Sequence, residues 1–337
     1  MSAGLRIEPH ATPPFERLQA ALAPDMARVN ALIRTRMASE HAPRIPEVTA
    51  HLVEAGGKRL RPLLTLAAAR LCGYDGEDHV RLAATVEFIH TATLLHDDVV
   101  DESARRRGRP TANLLWDNKS SVLVGDYLFA RSFQLMVETG DLRVLGILSN
   151  AAAEIAEGEV LQLTAAASLA TSEAVYLRVV RGKTAALFAA ATEVGGVIAG
   201  ASDAQVAALA AYGDALGISF QITDDLLDYG GLSARLGKNV GDDFRERKMS
   251  LPVIRALGEA DEAERAFWRR VIEKGDQGDG DLEEAIAIMR RRGSLESVRD
   301  TALDHAARAR AALAPLPDNA MRRSLADLAD FVVARLV

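Results

Sequence analysis

The sequence is poor in cysteine and in aromatic residues. Its 337 residues include one cysteine, Cys72, so no internal disulfide can form and the spacing of a zinc site is absent. Aromatic residues make up only 5% of the chain, whereas alanine and leucine are abundant, and this composition favours closely packed helices over a sheet. Basic residues are not in excess either. The formal charge of −7 argues against nucleic acid as a partner.

Long uninterrupted apolar segments are also missing. The stretch from Ala185 to Gly200 comes nearest to a membrane span, but Glu193 and several glycines interrupt it. Residues 1–15 lack the apolar core that is typical of a secretory signal. We therefore expect no transmembrane segment and a cytoplasmic location.

Apolar positions recur at helical spacing along most of the chain. Helices are expected over residues 15–37, 47–54, 60–71, 77–103, 118–139, 142–167, 172–195 and 203–228, with four or five more in residues 249–337. Residues 1–14 contain three prolines and are expected to form a flexible arm. No β-hairpin signal is present. The sequence therefore predicts an all-α fold, with one domain over residues 15–337.

The most informative segment is residues 86–113, VEFIHTATLLHDDVVDESARRRGRPTAN. In a helix of 3.6 residues per turn, His90, Asp97 and Asp101 point in the same direction. Asp98 adds a third carboxylate, and the neighbouring leucines and valines are typical of a buried helix. Carboxylates among buried residues need a counter-charge, and Mg²⁺ suits their hard oxygens. An isolated motif of this kind is as often a solvated acidic face.

A second copy of the pattern, FQITDDLLDY, occupies residues 220–229. Gln221, Asp224, Asp225 and Asp228 share one helix face, because they are three or four residues apart. Two such helices suggest acidic surfaces that face each other, with metal ions between them. Since Mg²⁺ binds through one or two carboxylates together with phosphate oxygens, the implied ligand is a diphosphate.

Basic residues cluster around both acid motifs. Each cluster alone is more often a solvated face, but several that bracket two acid motifs indicate direct binding of phosphate. The clusters are GGKRLRP at 56–62, RRRGR at 105–109, Lys183–Thr184, Gly237–Lys238 and Lys248.

These motifs resemble those of trans-polyprenyl diphosphate synthases, in the long-chain octaprenyl, solanesyl and decaprenyl group that makes the side chains of respiratory quinones. The resemblance runs from about Gly56 to Pro252, through GGKRLRP, LLHDDVVDESARRRG, EGEVLQL, GKTAALF, FQITDDLLDY and LGKNVGDD. It implies a single-domain, all-α isoprenoid-synthase-type bundle around a central cavity, commonly as a homodimer. The implied reaction is the Mg²⁺-dependent, head-to-tail condensation of isopentenyl diphosphate onto an allylic diphosphate such as farnesyl or geranyl diphosphate.

The same resemblance implies roles for individual residues. A cluster of three magnesium ions would bind between the acid motifs, with Asp97, Asp101 and Asp224 as ligands and Asp98, Asp225 and Asp228 in support. Isopentenyl diphosphate would be held by Lys58, Arg61, His90 and Arg107. The allylic diphosphate would be held by Arg106, Lys183, Thr184, Gln221 and, from a lid over residues 230–248, Lys238.

One departure from the family pattern follows the lid. Arg247 occupies a position that is usually glycine, between Glu246 and Lys248, which weakens the assignment of Lys248 as a diphosphate contact. The positions just before the first acid motif, Ala92 and Thr93, are small, whereas shorter-chain relatives carry aromatic residues there.

The resemblance implies a long product of about eight to ten isoprene units, or about C40–C50. Phe133 or Met136, on the helix after the first acid motif, would form the floor of the cavity. A product so lipophilic makes transient membrane contact plausible.

Four other functions remain open from the sequence. A short-chain synthase, with products of about C15–C20, or a class I terpene cyclase would share the acid motifs, although cyclases usually lack a GGKRLRP-type site. A non-catalytic regulatory subunit typically loses one acid motif, and both are intact here. A structural helical protein with acidic faces would bind no diphosphate.

Overall fold

The computed structural model describes residues 12–54, 57–106, 108–230 and 241–336. Arg107, Lys238 and most of the predicted arm therefore lie outside the described residues. Within them, helices account for nearly all regular structure, and the predicted all-α fold is confirmed.

The helices follow one another along the chain with short connections. They are α1 (Pro14–Ala21), α2 (Ala23–Met37), α3 (Arg44–Glu54), α4 (Leu60–Leu71), α5 (Asp78–Val100), α6 (Ala112–Leu115), α7 (Asn118–Val137), α8 (Leu142–Ala165), α9 (Glu173–Val180), α10 (Ala186–Ile198), α11 (Asp203–Tyr229), α12 (Asp242–Arg245), α13 (Leu251–Gly258), α14 (Glu262–Trp268), α15 (Asp281–Arg291), α16 (Ser294–Ala312) and α17 (Ala320–Val333). Two π-helical turns, Arg181–Ala185 and Arg269–Glu273, continue α9 and α14, and a 3-10 turn, Ala334–Leu336, follows α17. A two-residue antiparallel pairing of β1 (Arg105–Arg106) with β2 (Arg109–Pro110), which the sequence did not signal, follows α5.

Several helix boundaries differ from those predicted. The helix expected over residues 15–37 is two helices, because Pro24 lacks an N–H and its ring excludes a continuous helix through the preceding turn. The helix expected to reach Ser103 ends at Val100, and Glu102 beyond it adopts a left-handed φ of 50°. The helix expected over residues 172–195 contains the first π-helical turn. The loop expected over residues 230–248 includes the short helix α12.

Two clusters of buried apolar side chains form the core of the described residues. The larger cluster joins α1 to α11 with α16 and α17. The smaller cluster lies among the end of α11 and α12 to α15, and contains Tyr229, Phe244 and Trp268. Ile254 and Leu295 pack against both clusters, so the core is continuous.

Two long helices organise this core around the acid motifs. α5 packs against α4 and α7, and α11 packs against α10 and α16. By length and composition, α11 passes the test for a membrane-spanning helix, but 67% of its most apolar window is buried inside the protein. Helix α11 is therefore a core helix of the protein, and it carries the second acid motif near its C-terminal end.

Candidate active site

Both acid motifs lie at the C-terminal ends of long helices. Asp97 and Asp98 belong to the last turn of α5 and Asp101 caps that helix, while Asp224 and Asp225 lie near the end of α11. The last carbonyl groups of a helix carry partial negative charge, which adds to the charge of these carboxylates. This arrangement stabilises a bound cation.

A cavity of ≈ 450 Å³ connects the two motifs. Among the predicted site residues, it is lined by Asp101, Lys183, Thr184, Gln221, Asp225 and Lys248. The rest of its wall comes from the end of α8, from α9 and the segment before it, and from α12 and the segment that joins α12 to α13. The structure thus brings both acid motifs and the predicted allylic-side contacts to one space.

Asp97 lies beside this cavity, with its side chain only 13% exposed. Lys183 Nζ lies 4.0 Å from Asp97 Oδ2 and 2.9 Å from Glu159 Oε1, so one ammonium group serves two carboxylates. Burial raises the pKa of Asp97 to about 7, while Lys183 opposes this shift and the charges of Glu159 and Asp101 add to it. A divalent cation would supply the positive charge that this group lacks.

Lys183 reaches Asp97 from a π-helical turn, a rare geometry that is frequent at functional sites. A Cβ on Gly158 of α8 would lie only 2.9 Å from Lys183 N, and a Cβ on Gly182 would lie 2.7 Å from Glu154 O. These two glycines therefore allow α8 and the π-helical turn to approach backbone to backbone. The approach sets the position of Lys183 between Glu159 and Asp97.

Asp98 is fully buried and has a different partner. Its Oδ1 accepts a hydrogen bond from Arg106 Nε at 2.8 Å, and Arg106 Nη2 lies at the same distance. Burial raises the pKa of Asp98, and the Arg106 guanidinium opposes the shift. Asp98 therefore holds Arg106 close to the first acid motif.

The second motif belongs to a chain of hydrogen bonds. Tyr176 Oη donates to Asp225 Oδ2 at 2.6 Å, and Gln221 Nε2 donates to Asp225 Oδ1 at 2.8 Å. Thr184 Oγ1 donates in turn to Gln221 Oε1 at 2.9 Å. Burial raises the pKa of Asp225, although both hydrogen bonds oppose the shift. Because protein groups engage both of its oxygens, Asp225 ties the end of α11 to α9.

Asp228 interacts with the segment that follows the motif. Its carboxylate accepts hydrogen bonds from the backbone N–H groups of Asp242 (3.2 Å) and Asp243 (2.9 Å), at the start of α12. Burial raises the pKa of Asp228, and these backbone donors oppose the shift. Asp228 therefore anchors the segment that returns to the cavity, and Asp224 lies half-buried about one turn before it.

Lys248 lies among acidic side chains at the edge of the cavity. Its Nζ is 2.6 Å from Glu246 Oε2 and 3.6 Å from Asp243 Oδ1. Burial lowers the pKa of Lys248, but these carboxylates outweigh burial and raise it above its usual value. Burial, with the nearby charge of Asp225, raises the pKa of Asp243.

Arg247 occupies a position that is usually glycine in the family, and its backbone has the conformation that glycine favours. Its φ of 56° lies in the left-handed region, which glycine adopts without strain. The arginine side chain lies over Gly275, where a Cβ would come within 2.9 Å of Arg247 Nη1. The turn is therefore compatible with either residue, and Lys248 still lines the cavity.

The residues predicted to hold isopentenyl diphosphate, here called the basic subsite, lie farther from the end of α5; those that the structure describes are Lys58, Arg61 and His90. Arg61 Nη1 lies 3.2 Å from His90 Nε2, and the Arg61 guanidinium lies 4.7 Å from the centre of the Phe188 ring. Lys58 Nζ lies 5.8 Å from the centre of the Phe15 ring. His90 precedes the first aspartate of the motif by two helical turns, or about 10 Å. One helix therefore carries residues of both subsites.

The predicted chain-length residues do not line the cavity. Ala92 and Met136 are fully buried, and Thr93 is half-buried with its Oγ1 donating to His90 O at 2.8 Å. Phe133 is 43% exposed, because it lies on the outward face of α7. Contrary to the prediction, it does not form an internal floor within a single chain, and Met136 is the buried member of the pair.

Comparison with known proteins identifies the family. A model of the polyprenyl synthetase family matches residues 42–289. This chain belongs to the polyprenyl synthetase family. It is 45% identical to the octaprenyl diphosphate synthase of Escherichia coli strain K12, over 95% of this chain and 99% of that protein.

Solved structures agree with this membership. A crystal structure of a decaprenyl diphosphate synthase from Rhodobacter capsulatus is 74% identical, with a TM-score of 0.94 over 96% of this chain and 100% of that one. A polyprenyl synthase from Caulobacter crescentus CB15, complexed with calcium and isoprenyl diphosphate, is 51% identical, with a TM-score of 0.90 over 97% of this chain and 99% of that one. The chain is thus a prenyltransferase, and its activity is long-chain polyprenyl diphosphate synthesis.

The carboxylates of this synthetase suit a hard divalent cation. Among the residues that the structure describes, no three His, Cys, Asp or Glu side chains are close enough to hold a metal ion alone. Mg²⁺ nevertheless needs only one or two carboxylates, because phosphate oxygens and water complete its coordination. Burial raises the pKa values of Asp97 and Asp225, so a bound cation would favour the charged forms of both carboxylates. The residues therefore fit a cation that binds together with a diphosphate.

The residues of the synthetase site that were not predicted from the sequence include Tyr176, Glu159 and Asp243. Tyr176 precedes Lys183 by seven residues, which is about two helical turns and would have placed both on one face. Glu159 lies in the EGEVLQL block, where its contact with Lys183 depends on how α8 packs. Periodicity was therefore a usable signal for Tyr176 but not for Glu159.

Proposed function

We propose that this synthase adds isopentenyl diphosphate head to tail to an allylic diphosphate, farnesyl or geranyl diphosphate, with Mg²⁺ as cofactor. The observation that carries the proposal is one cavity that joins both acid motifs and Lys183, together with the Arg61–His90 pair, whose histidine lies on the same helix as Asp97. Two anionic substrates need two subsites, one that binds through cations and one that binds through basic side chains. The Caulobacter structure, which contains both calcium and isoprenyl diphosphate, supports this assignment.

In this proposal the allylic diphosphate binds at the cavity. Asp97, Asp101 and Asp224 would hold a cluster of three magnesium ions, as the family resemblance implies. When bound, magnesium neutralises the diphosphate and assists its departure as a Lewis acid. The protein contacts on this side are Arg106, Lys183, Thr184, Gln221 and Lys238, of which Lys238 lies outside the described residues.

The supporting aspartates act through their neighbours. Asp98 fixes Arg106, Asp225 fixes the end of α11 through Tyr176 and Gln221, and Asp228 fixes the segment that carries Lys248. These contacts hold the ligand carboxylates in place, which matters because small displacements at a reacting centre are costly.

Isopentenyl diphosphate binds at the basic subsite. Lys58 and Arg61 contribute charge, His90 contributes a hydrogen bond, and Arg107, outside the described residues, completes the set by resemblance. The double bond of this substrate attacks the allylic cation, and the departing pyrophosphate takes the proton that is lost. No strong protein base is therefore needed.

The proposed product has about C40–C50, by analogy with the family. Ala92 and Thr93 are small where shorter-chain relatives carry aromatic residues, which favours a long product, and Met136 is a buried candidate for the floor. Similarity to an octaprenyl and to a decaprenyl diphosphate synthase supports this range. A polyprenyl chain of that length suits the side chain of a respiratory quinone.

The purified synthase, given Mg²⁺, farnesyl diphosphate and isopentenyl diphosphate, is expected to make a ladder of intermediates that ends at one long product. Mass spectrometry of the extracted diphosphates measures the length directly, and a reaction with a chelator in place of Mg²⁺ is the control. A final product of about C15–C20 would overturn the role of Ala92 and Thr93. Binding without elongation would favour a cyclase or a regulatory subunit, and no diphosphate binding would favour a structural protein.

We also propose that the synthase is a homodimer. An exposed apolar surface on α7 and α8 supports this, because such surfaces usually mark interfaces. The surface, here called the α7–α8 face, consists of Val122, Leu123, Phe133, Val137, Leu142, Val160 and Leu163.

Sedimentation equilibrium is expected to give about 72 kDa, twice the chain mass of 36.1 kDa. Phe133→Glu combined with Val137→Glu should yield the single-chain mass, because two buried charges would oppose association. Arg299→Glu, an exposed change on α16, is the matched control and should remain dimeric. A single-chain mass for the unaltered protein would contradict the proposal.

The proposed location is the cytoplasm, with transient membrane contact when the lipophilic product leaves. Recovery of the synthase in the soluble fraction of broken cells is the expected result, and firm retention by membranes after a salt wash would contradict it.

A further inference from the structure

The loop before α4 contains a residue in a conformation that its side chain does not favour. Arg59, the N-cap of α4, has φ 50° and ψ 36°, in the left-handed region. Residues other than glycine occupy this region at a cost in free energy, and they persist there only when their surroundings hold them. Lys58 and Arg61, on either side, belong to the basic subsite. Because Arg59 lies between two residues of the basic subsite, its strained backbone suggests that it has a role in that subsite.

A buried ion pair holds Arg59 in this conformation. Arg59 Nη1 contacts Glu87 Oε1 on α5, and the two side chains are 15% and 10% exposed. Hydrogen bonds between charged groups are stronger than neutral ones, and burial weakens the screening of this pair by water. The pair therefore attaches the loop to one place on α5.

That place is next to His90. Glu87 and His90 are three residues apart on α5, so they share a face of that helix. Arg59 reaches Glu87, and Arg61 reaches His90 at 3.2 Å while its guanidinium packs on the Phe188 ring. Two arginines thus contact one face of α5 within a single turn. Turning the loop away from Glu87 would move Lys58 and disturb the first turn of α4, which carries Arg61.

We infer that Arg59 and Glu87 are positioning residues for isopentenyl diphosphate: their ion pair fixes the left-handed turn that links Lys58 to Arg61, which lies beside His90. Neither residue needs to touch the substrate for this role. The inference rests on the proposed function, because it assigns the basic subsite to isopentenyl diphosphate. It also distinguishes the two substrates, since the allylic contacts Lys183, Thr184 and Gln221 lie on the π-helical turn and α11 and not on this loop.

Arg59→Met tests the inference, because it keeps the length of the side chain and removes its charge. The Michaelis constant for isopentenyl diphosphate is expected to rise about tenfold or more, while that for farnesyl diphosphate and kcat change less than about threefold. Glu87→Gln should give the same pattern. The exchange Arg59→Glu with Glu87→Arg should recover part of the loss, because the ion pair forms again with reversed polarity.

Arg59→Gly separates the turn from the ion pair. Glycine adopts a φ of 50° without strain, so this variant retains the turn but loses the attachment to Glu87. It is expected to fold and still to show the raised Michaelis constant for isopentenyl diphosphate. A normal value in Arg59→Gly together with a raised value in Arg59→Met would overturn the role of the ion pair.

The far end of α4 offers a matched control. Arg70 forms a similar pair with Asp25 on α2, with Arg70 Nε 2.9 Å from Asp25 Oδ2 and Arg70 Nη2 3.0 Å from Asp25 Oδ1. Arg70→Met removes the same kind of interaction from the same helix, far from the basic subsite. It should lower the melting temperature and leave the ratio of the two Michaelis constants unchanged.

The outcomes distinguish this inference from the proposed function. Absence of elongation by the unaltered synthase would reject the proposed function. Normal elongation, with an equal rise of both Michaelis constants in folded Arg59→Met, would reject the inference alone, because it would indicate general loosening of the fold.

Discussion

Asp97→Asn is expected to abolish condensation and, at the same time, to raise the melting temperature of the metal-free protein at pH 8. The loss of activity should be about a thousandfold or more, because a ligand to the proposed cation is lost. The gain in stability follows from burial, which raises the pKa of Asp97 to about 7 and so penalises its charged form. Asparagine has nearly the same shape and carries no charge.

The pH dependence of this effect has a definite sign. The folded pKa lies above the ordinary value of 3.8, so the metal-free protein should lose stability as pH rises from about 4 to about 7. Above that range the contribution of Asp97 is constant and unfavourable. Calorimetry between pH 5 and 8 should show a smaller fall with pH for Asp97→Asn than for the unaltered protein.

Asp300→Asn is the control, since this aspartate is 67% exposed on α16. It should change neither activity nor the pH profile of stability. Retention of more than about a tenth of the activity by Asp97→Asn would exclude Asp97 as a ligand. A lower melting temperature at pH 8 would exclude the account of burial.

Gly158→Ala should both destabilise the protein and slow the reaction. The added Cβ would lie 2.9 Å from Lys183 N and 3.1 Å from Gly182 Cα, and backbone atoms cannot rotate away as a side chain does. Overpacking of this kind costs about 1–3 kcal/mol. The π-helical turn must move outward, which takes Lys183 away from Asp97, and a displacement of about 1 Å can cost about a hundredfold in rate.

Gly146→Ala, in the same helix, is the matched control. Apart from the backbone of its own helix, no atom of the same chain lies within 4 Å of a Cβ at Gly146, so the added methyl group meets no clash within one chain. Alanine favours a helix over glycine by about 1 kcal/mol, and the variant should be slightly more stable with unchanged kcat. Thermal unfolding and steady-state rates, measured on both variants, test the expectation. Equal behaviour of the two would rule out the close approach of α8 as the cause.

The helical faces of the site were predictable, because periodicity depends only on the local chain. His90 and Asp97 share a face of α5 in the structure, as their spacing indicates, and Leu226 and Leu227 are buried behind the second motif. The break between α1 and α2 near Leu22 also has a local cause, which is Pro24. These features follow from backbone geometry and need no knowledge of distant contacts.

The different uses of the two acid motifs were not predictable, because they depend on contacts between distant segments. Asp225 is engaged by Tyr176, which lies 49 residues away along the chain, and Asp228 accepts hydrogen bonds from the start of α12. The corresponding aspartates of the first motif have other partners. The outward position of Phe133 likewise depends on how α7 packs. Two similar sequence motifs thus differ in their structural roles.

The convergence of two helix C-termini has a consequence for how the synthase responds to its surroundings. Without a cation, the carboxylates and the helix C-termini repel an anionic diphosphate. Without a diphosphate, a bound divalent cation leaves the positive charge of the basic groups of the cavity uncompensated. Cation and diphosphate therefore favour each other's binding, and by thermodynamic linkage each raises the affinity for the other by the same factor. The fraction of the protein that has bound the allylic substrate should therefore rise with the free concentration of the divalent cation. The rate of chain elongation should rise with it.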